Sequence, residues 1–68
     1  MTYYTIITRE QPTDPWAPQF GDHDREVVDQ EMIDTYRYLP KAQRKIIRTK
    51  TAHQSVINAA IAQLNAQV

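Results

Sequence analysis

The chain opens on an apolar block. Thr2 to Thr8 reads TYYTIIT, β-branched and aromatic with no glycine or proline, and predicts a strand over residues 2–8. Successive side chains of a strand point to opposite faces, so Tyr4 and Ile6 share one face and Tyr3 and Ile7 the other. Apolar residues on both faces imply cover on both. The pattern then breaks. Between Glu10 and Gly21, Pro12, Pro15 and Pro18 bar a helix and favour extended backbone. This predicts a Pro-rich aromatic loop over residues 10–21. A loop that long in a small domain is either functional or tied down by its own side chains, here Trp16 and Phe20.

Helical spacing follows. Val28, Met32, Tyr36 and Leu39 recur at three- and four-residue intervals, with Ile33 alongside, and predict a helix over 23–39. Asp22 or Asp24 caps it, and the acids Asp24, Glu26 and Asp29 suit its positive end. Pro40 stops it. KIIRTK predicts a second strand over 45–50. Thr51 with Gln54 three residues later fits a capping box and opens a second helix over 52–66, with Ile57, Ala60, Ile61 and Leu64 inward. The expected fold is α+β: one small two-layer β-α-β-α domain spanning 1–68, with two strands and two helices. A parallel pairing through a right-handed crossover and an antiparallel pairing through the long loop are both open.

Composition narrows the chemistry. Cysteine is absent, which removes disulfides, thiolate zinc sites and a thiol nucleophile, and suits a reducing, cytoplasmic setting. MTYYTIITRE lacks the basic start and apolar run of a signal peptide, and no apolar stretch is long enough to span a membrane. Net charge is zero, yet the halves differ. Residues 1–34 hold eight acids and two bases, a charge of −6; residues 35–68 hold six bases and no acid, a charge of +6. Either the halves neutralise each other across the fold or the surface is dipolar and steers association.

Catalysis and metal binding find little to work with. Asp22, His23 and Asp24 are adjacent at a helix start and point apart, so capping explains them better than a shared ion. Ser55, the single serine, sits in a helical pattern without a glycine-rich elbow. One glycine excludes a phosphate-cradling loop. No catalytic, metal-binding or cofactor-binding residue is expected, and the chain reads as a non-enzyme.

Binding has more to offer. RYLPKAQRKIIRTK places six bases within residues 37–50 beside Tyr36 and Tyr38, a strip able to contact phosphates and stack bases. A pI of about 6.7 and the acidic half argue against a dedicated nucleic-acid binder. Trp16 and Phe20 beside Pro15 and Pro18 form a rigid aromatic anchor whose face is either core or partner. The last helix carries no charge and shows a stripe of Ala52, Ser55, Ala59, Ala62 and Ala66, which allows close helix approach or merely favours helix formation. That stripe and two free sheet edges tilt the balance slightly toward a weak homodimer.

YTIITRE, WAPQFGDHDREV and KIIRTKT together carry a resemblance that spans nearly the whole chain. It resembles a group of small tailed-bacteriophage and prophage proteins with a W-x-P-x-F-G-D-x-D-R-E-like motif. The resemblance implies a context rather than a reaction: binding and modulating a host protein such as RNA polymerase, a nuclease or a defence complex, in the host cytoplasm. The expected partner-binding residues are Trp16, Phe20, Asp22 and Asp24 around the loop, and Arg37, Lys41, Arg44, Lys45, Arg48 and Lys50 along the basic strip. A nucleic-acid-binding module using 37–50 is the alternative.

Overall fold

A computed structural model describes residues 2–67. Its centre is β1 (Tyr3–Thr8), flanked on one side by β2 (Ala17–Asp22). After α1 (Arg25–Thr35) and a single 3-10 turn at Lys41–Gln43, β3 (Arg44–Thr49) takes the other side. The last element is α2 (Gln54–Asn65). The sheet order is β2–β1–β3 and both pairings are antiparallel. The class is α+β as expected, but the described residues form three strands rather than two, and no parallel pairing occurs among them.

The additional strand lies inside the expected loop 10–21. Its sequence, APQFGD, contains proline and glycine and one large apolar residue, so no alternation betrays it. The register shows how a proline is accommodated. Tyr4, Thr5 and Ile6 lie opposite Asp22, Gly21 and Phe20; the register then shifts, and Ile7 and Thr8 lie opposite Pro18 and Ala17. Gln19 is the extra residue of a bulge. Just beyond the strands, the N–H of Arg9 donates to the carbonyl of Gln43 at 3.0 Å. Bonding alternates along an antiparallel ladder. Odd residues of β1 therefore bond toward β3, and even residues toward β2. Ile7 thus asks nothing of Pro18, and the missing N–H points out of the sheet.

The same alternation distributes the core. Ile7 clusters with Ile47 of β3 and with Ile57 and Ile61 of α2, while Tyr3, Trp16, Ala60 and Leu64 pack around them. Ile6 faces the other way and is also 0% exposed, as is Val28 of α1. α1 lies against β1 and β2, and its Arg25 guanidinium stands 5.5 Å over the ring of Tyr4, which shares the face of Ile6. The helices therefore cover opposite faces, making three layers rather than two. The body measures 31 × 27 × 12 Å.

Both helices are shorter than their apolar patterns. α1 begins at Arg25, not 23, because Asp24 is its cap, accepting the Glu26 N–H at 2.9 Å. It ends at Thr35, not 39: Thr35, Tyr36 and Tyr38 are weak helix formers, and Pro40 pushes Leu39 out of the helical region. Ile33 is half exposed. α2 spans 54–65 instead of 52–66, and β3 begins one residue early. The expected capping box does not form: Thr51 Oγ1 accepts from the N–H of His53 at 3.2 Å, and the Gln54 amide donates to Asn58 at 2.8 Å.

Gly21 is needed for space, not for an unusual backbone angle; no residue among those described has positive φ. A Cβ at Gly21 would sit 2.5–2.7 Å from Oη, Cε2 and Cζ of Tyr3, whose ring lies across it. We predict that Gly21→Ala costs about 1–3 kcal/mol by overpacking, measured by urea unfolding. In a Tyr3→Leu background the cost should largely vanish, the non-additivity expected of residues in contact. Equal costs in both backgrounds would refute the steric account.

Candidate functional site

The loop between β1 and β2 is closed by side chains that come from three parts of the chain. The N–H of Trp16 donates to Asn65 Oδ1 at 2.7 Å, and Asn65 Nδ2 donates back to the Trp16 carbonyl at 3.4 Å. The Arg9 guanidinium lies 4.2 Å from the centroid of the Trp16 ring, while its Nε donates to the Ala42 carbonyl at 2.9 Å. Gln43 donates to the carbonyl of Glu10. Trp16 is half-buried, with Arg9 against its ring and the α2 core cluster beside it. Phe20, paired with Ile6, is half-buried on the α1 side. Asp22 accepts the N–H of Asp24 at 2.8 Å, so both carboxylates serve the start of α1. All four loop residues of the expected partner set are thus engaged within the fold. Arg9 and Asn65 carried no sequence signal beyond their residue types, because their roles arise only when distant segments meet.

The basic residues have a different setting. Arg37 is exposed in the turn after α1 and Lys41 in the 3-10 turn; Lys45, Arg48 and Lys50 are exposed and Arg44 is half-buried. They do not form one face. Opposite Thr8, Ile6 and Tyr4, the residues Arg44, Ile46 and Arg48 project toward the α1 side; Lys45, Ile47 and Thr49 project toward the α2 side. Lys41, Arg44, Lys45 and Arg48 share the outer edge of β3, with Lys50 just past its end, whereas Arg37 stands in the turn after α1. By the same alternation, Lys45, Ile47 and Thr49 bond to β1, while the N–H and C=O groups of Arg44, Ile46 and Arg48 point away from the sheet.

A groove runs along each side of this edge. One, of about 510 Å³, is lined by Arg25, Met32, Lys41, Arg44, Lys45 and Ile46. The other, of about 370 Å³, has β3 on one wall and Ala60, Gln63, Leu64 and Gln67 on the other. In the first, Arg25 is held by Asp29 at 2.9 Å, and the buried Nε of Arg44 has no hydrogen-bond partner. Arg25–Asp29 is the one ion pair among the described residues, and both members belong to the acidic half. Among the described residues, therefore, the two halves do not neutralise each other by direct pairing.

Elsewhere, Tyr36 and Leu39 line a cleft of about 450 Å³ with Arg9, Pro15 and Tyr38. Burial pushes the Tyr36 phenol above its ordinary value, with Glu31 and Tyr38 adding to the effect. Tyr38 is 78% exposed. His23 lies with its ring Nδ1 3.2 Å from the Thr2 carbonyl and its edge against Tyr3. No group of three or more potential metal ligands occurs among the described residues, and no helix among them is long and apolar enough to cross a membrane. The Ala52, Ser55, Ala59, Ala62 and Ala66 stripe is exposed.

No family model, characterised protein or solved structure matches the chain.

The single tryptophan makes the loop closure measurable. Asn65→Ala removes both bonds to the Trp16 backbone and should cost about 1–2 kcal/mol, with Trp16 emission moving to the red. Trp16→Ala should cost about 3–5 kcal/mol, comparable with the entire stability of so small a core, and leave a largely unfolded circular dichroism spectrum. A folded Trp16→Ala protein would show that the ring contributes little to the core.

Proposed function

We propose that the chain is a non-enzymatic binding protein whose target is another protein. In the setting implied by its resemblance to small phage proteins, that target is a host protein, met in the host cytoplasm. The observation that carries this reading is the outer edge of β3: unpaired, basic, and flanked by two grooves. Cationic side chains are one of the means by which natural sheets guard an edge against like partners, and they leave it open to a partner of opposite charge. Lysine and arginine on β3 therefore discourage self-pairing, so a heterologous partner suits it better than a copy of itself. The loop face of the expected partner set fits this role less well, since Trp16, Phe20, Asp22 and Asp24 are occupied by the fold. The weak homodimer loses support for the same electrostatic reason.

A nucleic-acid target is the second reading, and one observation favours it. Tyr38 stands 78% exposed next to Arg37, an aromatic beside a cation as in single-strand binders. Against it, Glu31 is near enough to act on Tyr36, so this corner also carries repulsive charge.

Capture from nuclease-treated bacterial lysate separates the two. Tagged chain should retain a protein after nuclease treatment, and Arg44→Glu with Arg48→Glu should release it. Affinity for duplex or single-stranded DNA at physiological salt should stay weak. Submicromolar binding that falls steeply with salt, with a slope reduced by Arg44→Ala and Lys45→Ala, would transfer the assignment to nucleic acid.

A further inference from the structure

We infer that the outer edge of β3 accepts an extended acidic segment of its partner as a fourth strand, with acidic and apolar side chains alternating along it. The inference rests on the protein-binding reading and names the chemistry of the partner.

The two edges of the sheet are not equivalent. β2 presents Pro18, which has no N–H, and a bulge at Gln19; a strand added there would lack a donor and meet a distorted ladder. β3 runs without a register shift against β1 and turns the backbone groups of Arg44, Ile46 and Arg48 outward at the two-residue spacing that strand addition requires. Main-chain bonds to those groups supply affinity, and pockets for alternate side chains supply specificity.

The pockets differ in character. Side chains of an added strand that point to the α1 side enter the groove of Lys41 and Arg44, with Arg48 on the same face. Arg25 is already held by Asp29, whereas the Arg44 Nε is buried and unpartnered. A carboxylate in this groove meets the cations of Lys41 and Arg44 and gains charge-assisted bonds from them. Side chains pointing to the α2 side meet Ile47, Ala60 and Leu64, with Lys45, Gln63 and Gln67 at the margin, against a helix with no charged residue; its apolar floor suits valine or leucine. Acid on one face and aliphatic on the other is the pattern of a half-buried strand.

A second copy of the chain fits the edge poorly. β3 against β3 sets Arg44, Lys45, Arg48 and Lys50 of two copies against one another, and like charges across a strand pair are destabilising. Of the acids, five of the eight lie in or at the cap of α1, so they cannot serve as an extended acidic strand.

Amide hydrogen exchange and fluorescence anisotropy test the inference on the intact chain. In the free protein the Ile46 and Arg48 amides should exchange rapidly while those of Lys45, Ile47 and Thr49 are protected. The probe is a fluorescein-labelled peptide, Asp-Val-Asp-Leu-Asp-Val-Asp. It should bind, protect Ile46 and Arg48, and outcompete both its lysine counterpart and a peptide with the same residues in acidic and apolar blocks. N-methylation of the probe at alternate residues, in the register that removes its pairing N–H groups, should weaken binding by about tenfold or more. Arg44→Gln with Arg48→Gln should weaken it by a similar factor and reduce its salt dependence. Binding indifferent to N-methylation in both registers, or without protection of Ile46 and Arg48, overturns the inference. So does protection of those amides in the free protein together with a dimer mass, because a second copy then occupies the edge. Displacement by a single-stranded oligonucleotide that protects no amide assigns the groove to nucleic acid. If no acidic peptide binds but a lysate protein is still captured in a manner sensitive to residues elsewhere, the inference fails while the protein-binding reading stands.

Discussion

The rest of the structure depends on β1 burying a side chain to each of its faces. Ile6 and Ile7 are adjacent and both 0% exposed, so one short strand supplies the inner wall of two separate half-cores. Complete burial of an aliphatic side chain contributes about 1.5–3 kcal/mol, and a chain of this length has few such residues. The layer against α2 is built from four isoleucines, and the layer against α1 from Ile6 and Val28 with partly buried neighbours. Neither is large enough to stand alone. The strand between them must therefore be paired on both edges, because its backbone groups are shut away from water.

That requirement explains the unusual strand on one side and the open edge on the other. β2 is built from residues that seldom make strands, yet it needs only to pair with β1 at every second position, and Pro18 falls at a position that bonds nothing. The loop leading into it is held by Arg9, Trp16 and Asn65, which link the end of β1, the loop and the end of α2. Trp16 thus adds apolar mass to a core that lacks it. β3 completes the pairing of β1 and leaves its own outer groups free.

Charge follows the same geometry. The acids concentrate in and around α1 on one face, and the bases line the far edge and the turn before it. The one ion pair among the described residues lies inside α1, so the cations of β3 make none among these residues.

The sequence by itself determined the elements whose signals are local. β1, β3 and the inner faces of α2 and of the first half of α1 follow from the local residue pattern, a cap at Asp22 or Asp24 from residue type, and the charge separation from counting; the structure selected Asp24. Among the expected binding residues, the basic strip was legible as composition. The tertiary structure decided what depends on partners distant along the chain. β2 exists because β1 offers an edge; the extended backbone that its proline favours does not by itself make a strand, and β-structure reflects its neighbours more than its own residues. Antiparallel order placed α1 and α2 on opposite faces, and register selected which backbone groups of β3 face outward. Periodicity ran past the true end of α1, since Tyr36 and Leu39 pack partly inward from a turn as well as they would from a helix. In sequence Trp16 leaned toward capping the core while standing with Phe20 among the candidate contacts, and the fold placed both against its own residues, because a core this small recruits the aromatics it has.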